Sequence, residues 1–82
     1  MQIREERLLR RVVVNPKIMV GKPIIKDTRI PVELILRLSA RGSTDEEMLR
    51  EYPQLRKEDV KAAVLFAAKI ASREEYYPTV VK

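Results

Sequence analysis

The sequence predicts a mainly α fold: a three-helix, helix-turn-helix domain with a short N-terminal β element. Three observations point there. Apolar residues recur at helical spacing in three segments between residues 31 and 72. Those segments are bounded by start and stop signals, namely Pro31, Gly42, Thr44 and Pro53. Ahead of them, Val12-Val13-Val14 is a β-branched run closed by Asn15-Pro16, as in a strand that ends in a turn. The chain has 82 residues, enough for one domain with a small core. The expected organisation is a charged N-terminal arm over 1–11, the helical domain over 12–72, and a C-terminal tail over 73–82.

Residues 1–10 are polar and charged, and are open to a frayed helix or an unfolded arm. After Val12–Val14 comes Gly21-Lys22-Pro23-Ile24-Ile25-Lys26-Asp27-Thr28-Arg29-Ile30-Pro31-Val32. It reads as two very short strands, Ile24-Ile25 and Arg29-Ile30, around a tight turn, or as an irregular loop. Pro23 and Pro31 have no N–H to donate, which confines both strands to edge pairing. So short a hairpin is not stable alone. It needs the helices, or Val12–Val14 of this chain or of a second subunit.

The first of the three helices runs over 32–41. Val32, Leu34, Ile35 and Leu38 share a broad apolar face, and Gly42 stops the helix because it takes positive φ without strain. The second runs over 44–52. Thr44 and Glu47 have capping-box spacing, Met48, Leu49 and Tyr52 are its apolar side, and Pro53 ends it. The third runs over 57–71, with Leu55 and Val60 spaced as a hydrophobic staple around Arg56. Arginine is a poor N-cap, costing about 1 kcal/mol relative to Ser or Thr. From Ala62 to Ala68 this helix is apolar almost all round. A second copy would cover what the small core cannot, so a homodimer is expected, with Val64 and Phe66 in the contact. Tyr76, Tyr77 and Val80 of the tail are candidates for a partner contact through an added strand.

Composition narrows the chemistry. There is no cysteine and no histidine. Disulfides, cysteine or histidine metal sites, and Ser-His or Cys-His nucleophiles are thereby excluded. The acids Asp45, Glu46 and Glu47 fit a capping turn better than a metal site or an acid-base pair. Gly21-Lys22 is not a P-loop, because no upstream glycine exists and Pro23 stands where Ser or Thr is needed. No apolar run approaches the roughly 18–20 residues of a membrane span. The expectation is a cytoplasmic protein that is not an enzyme, with no cofactor, metal or small-molecule substrate.

The net charge of +5 is unevenly placed: residues 1–30 hold eight Lys or Arg against three acids, and the rest hold nine of each sign. A local basic region can contact phosphates or an acidic protein, or can be a solvated face. In the nucleic-acid reading, Arg10, Arg11, Lys22, Lys26 and Arg29 meet phosphates. Lys57 and Lys61 lie at the start of the helix in the recognition position. Glu58 and Asp59 beside them oppose that role. Arg29 is also placed to pair with Glu33, which would leave Lys22 and Lys26 as the free cations of the clip. The rival class is a protein-interaction module without DNA binding.

The segment from Asn15 to Val32, with Ile35-Leu36-Arg37-Leu38, Gly42, Glu51-Tyr52-Pro53-Gln54-Leu55 and Glu58-Asp59-Val60, resembles the bacterial and archaeal family called domain of unknown function four-three-three. The likeness covers roughly residues 10–71. It implies a homeodomain-like fold and an antitoxin of VapB type that binds its own promoter and pairs with a PIN-like ribonuclease toxin. The sequence departs from the family pattern at Arg56, where Thr is frequent, and at Asp27, where Gly is common. Aspartate tolerates left-handed backbone, so the turn before Thr28 can keep its shape.

Overall fold

The computed structural model describes residues 3–72 and 78–81. These residues form four helices and a short three-stranded sheet. The order is α1 (Ile3–Leu9), β1 (Val12–Val14), a tight turn at Met19–Gly21, β2 (Pro23–Ile25), α2 (Val32–Ala40), α3 (Asp45–Glu51), α4 (Lys57–Ala71) and β3 (Thr79–Val80). The last three helices match the sequence expectation to within a residue or two. The charged N-terminal segment does more than an arm would. It folds into α1, which packs on α4 and buries Leu9 to 1% exposure.

The sheet order is β2-β1-β3. β1 pairs antiparallel with β2 of the same chain, Val12 opposite Ile25 and Val13 opposite Ile24. Pro23 thus sits on an edge strand, as its missing N–H requires. Arg29-Ile30 is not a strand; Ile24 instead makes an isolated bridge to Pro31. The tail returns to the domain, with β3 parallel to β1 and the Val81 N–H donating to the Val14 carbonyl. Side chains alternate across β1. Val12 and Ile25 enter the helical core with Ile35, Met48, Leu55, Val60 and Phe66, while Val13 and Ile24 face the other way.

The helix ends follow from local chemistry. Gly42 has φ 96°, and a Schellman pair closes α2: Gly42 N–H to Ser39 O and Ser43 N–H to Leu38 O, both 3.0 Å. Thr44 and Glu47 form the expected capping box at the start of α3, at 2.9 and 3.2 Å. At α4 the Arg56 side chain has no acceptor to offer. Asp59 supplies the reciprocal half of the cap, accepting from the Arg56 N–H at 2.8 Å. Leu55 and Val60 are both buried, as the staple spacing requires.

Candidate nucleic-acid interface

The segment from Ile25 to Ile30 is a hydrogen-bonded clip. The Thr28 N–H and hydroxyl both donate to the Ile25 carbonyl, and the hydroxyl accepts from the Ile30 N–H at 3.0 Å. The Ile25 N–H donates to the Ile30 carbonyl at 2.9 Å, closing the loop. Asp27 takes φ 63°, so the left-handed turn is kept without glycine. The Lys26 N–H donates to the Arg11 carbonyl, which fastens the clip to the start of β1. This geometry holds Lys26 and Arg29 outward on a rigid base, both exposed.

The structure rearranges the expected cation roles. Lys22, not Arg29, pairs with Glu33, at 2.9 Å, and Arg37 reaches the same carboxylate at 3.8 Å. Lys22 follows the turn at Met19–Gly21 in extended backbone, which brings it to the first turn of α2. Glu33 is held below its ordinary carboxylate pKa, chiefly by the Lys22 hydrogen bond. The side chains of Arg29 and Lys26 have no ion-pair or hydrogen-bond partner among the described residues.

Arg11 is not a free cation: it is engaged inward. Its Nε donates to Asp59, a carboxylate buried to 2% exposure, and that bond raises the guanidinium pKa further above its ordinary value. The same pair removes the repulsion expected from Asp59, because the acid faces inward. Arg10 is exposed beside it, and Lys57 and Lys61 are exposed one turn apart on α4. Phe66 is a core residue at 5% exposure, carried by the inner face of α4 with Ala62 and Ala63, and offers little surface to an outer contact. Val64 and Val80 are exposed at 49% and 54%. Tyr76 and Tyr77 lie outside the described residues.

Two hollows show what the clip adjoins. A cleft of about 230 Å³ is shared by Lys26, Thr28, Gln54 and Arg56, with Arg11 and Asp59 in its wall. A larger one, about 1040 Å³, runs from the clip past Leu34 and Arg37 to Tyr52 and Gln54. The turn Lys26–Arg29 and the α3–α4 connection thus present one continuous surface at the N-terminal end of α4. Sequence reasoning missed Arg56, Gln54 and Tyr52 as members of it. Arg56 carried a signal, a cation at a position that wants Ser or Thr, but it read as a local flaw. Among the described residues no group of three or more Asp, Glu, His or Cys is arranged for a metal ion. No described helix is long and apolar enough to cross a membrane.

Comparison with known proteins places this geometry in a family. The family described as Protein of unknown function (DUF433) matches residues 12–67. An uncharacterized protein, y4eO, from Sinorhizobium fredii is 34% identical over 53 residues, covering 65% of this chain and 24% of that relative. The chain therefore spans about a quarter of that protein's length. An uncharacterized protein from Archaeoglobus fulgidus is 57% identical over 30 residues, 37% of this chain and 83% of the relative. The crystal structure of a DUF433 member from Anabaena variabilis superposes with a TM-score of 0.71 at 29% identity, over 83% of this chain and 67% of that one. With the match running from β1 well into α4, the chain belongs to the DUF433 family.

Proposed function

We propose that the domain is a non-enzymatic, antitoxin-like DNA-binding protein of the cytoplasm. In this reading α2, α3 and α4 form a homeodomain-like unit, with α4 in the recognition position and α1 and the sheet packed on it. The observation that carries it is that Lys26 and Arg56 share a cleft at the N-terminal end of α4, where helix-turn-helix proteins meet DNA, with Arg29 on the same clip as Lys26. Lys26 and Arg29 are unpaired and exposed, so they can release phosphate counterions; Lys57 and Lys61 extend the surface along α4. Autoregulation at its own promoter, and pairing with a PIN-like ribonuclease toxin, complete the reading.

Salt-dependent binding to the DNA upstream of its own gene tests it. Lys26→Ala and Arg29→Ala should each reduce the log–log salt slope by about 0.9. Lys22→Ala should leave it nearly unchanged, because Lys22 is engaged with Glu33. No binding at low salt overturns the proposal.

One observation favours the alternative, a protein-interaction and dimerisation module. Val64 and Ile70 of α4 are exposed at 49% and 57%. A homodimer is expected in both readings, so the selecting result is a complex with the neighbouring gene's product that survives loss of DNA binding. A monomer at micromolar concentration by sedimentation removes the dimer from either reading.

A further inference from the structure

We infer that the larger cleft is a binding site for a single unpaired nucleotide, with the phosphate at Lys26 and Arg29 and the base against Tyr52. Its volume, about 1040 Å³, lies just above the range usual for small-ligand sites, so one nucleotide would fill part of it. The interior is apolar, set by Ile24, Ile30 and Leu34.

The polar groups around the cleft divide into two sets. Thr28 is committed to the clip, Asn15 accepts from the Lys17 N–H, and Lys22 is paired with Glu33. Lys26, Asp27, Arg29, Gln54 and Tyr52 have no side-chain partner among the described residues, and Asp27 is the carboxylate of that set. Four of these groups are what a nucleotide needs, and the two cations outnumber the Asp27 carboxylate between them. Two cations can take the phosphate through charge-assisted bonds. A half-buried aromatic ring offers a stacking surface. A side-chain amide offers both a donor and an acceptor to a base edge. An apolar hollow suits a base that has left its stack, whereas a duplex keeps its bases paired and inaccessible. The site needs no operator sequence, so it stands apart from promoter binding even though it shares two cations with it.

The test is amide NMR titration of the full chain with adenosine 5′-monophosphate, adenosine and inorganic phosphate in parallel. The expected result is saturable shifts at residues 26–30 and 52–55, with the monophosphate binding about tenfold or more tighter than adenosine or phosphate. Arg29→Ala and Gln54→Ala should weaken it with the spectrum otherwise intact. Tyr52→Leu, which keeps apolar bulk, should weaken it about tenfold. No saturable shift by about 10 mM monophosphate overturns the inference. Equal binding of phosphate alone also overturns it, because the base then contributes nothing. Promoter binding by the same preparation is scored separately. Its loss with nucleotide binding intact defeats only the duplex reading, and the reverse defeats only the cleft.

Discussion

The Nε of Arg11 donates to Oδ1 of Asp59 at 2.5 Å, and Oδ2 of the same carboxylate accepts from the Arg56 N–H at 2.8 Å. One buried acid thereby joins the start of β1 to the cap of α4, across 48 residues of sequence. The pair does two jobs: it completes a helix end that Arg56 cannot cap, and it anchors the strand on which the clip hangs.

Removing the arginine should therefore cost more than an ordinary surface change. Arg11→Met leaves Asp59 buried with only a backbone donor, and should destabilise by about 2–3 kcal/mol in urea unfolding. Arg11 is itself 31% exposed, which keeps the loss below that of a fully buried pair. Adding Asp59→Asn should recover part of it, with a coupling of about 1–3 kcal/mol in a double-mutant cycle. Strictly additive losses would sink the anchoring role.

The turn at Met19–Gly21 holds three consecutive residues at positive φ: 52°, 53° and 76°. Val20 is the costly one, because β-branching disfavours left-handed backbone, and its side chain is 96% exposed and so recovers nothing. Val20→Asn should stabilise by about 0.5–1 kcal/mol, raising the melting midpoint by several degrees. A fall in the midpoint would show that the valine makes a stabilising contact the geometry does not reveal.

The three helices after residue 31 were legible because each signal acts within a few residues. Thr44 and Glu47 are three apart, Gly42 works through its own φ, and Leu55 and Val60 bracket one turn. What the sequence could not show is set by distance along the chain. Nothing local in REERLLRR says that Leu9 is buried on α4, or that Arg11 reaches Asp59 rather than solvent. The exchange of roles between Lys22 and Arg29 has the same origin: both lie within reach of Glu33 by sequence, and the turn at Met19–Gly21 decides which one arrives. The surface around Arg56 was hidden because it forms only when the clip folds beside the α3–α4 connection.

Two carboxylates give the fold a predictable acid response. Glu47 lies below its ordinary pKa of 4.5 because the Thr44 backbone N–H, and then its side chain, bond to it. Glu33 lies below 4.5 chiefly through Lys22. A depressed folded pKa contributes stability that is present above the unfolded value and lost as pH falls through the folded one. Thermal midpoints should be flat above about pH 5 and decline below about 4.5. Glu47→Gln and Glu33→Gln should each flatten part of that decline. An unchanged acid slope in both variants would remove these bonds as its cause.

Arg56 is where stability and binding should separate. It occupies the N-cap of α4 without capping it, and its side chain lines the cleft shared with Lys26 and Gln54. Arg56→Ser supplies the missing acceptor while keeping the backbone N–H that bonds Asp59. The variant should gain about 1 kcal/mol of stability. It should also lose affinity for promoter DNA, with a salt slope reduced by about 0.9. On a DNA-binding surface, a poor cap is the pattern expected when recognition outweighs local stability. If the variant becomes more stable and binds DNA unchanged, Arg56 lies outside the interface, and the surface contracts to Lys26, Arg29 and the exposed lysines of α4.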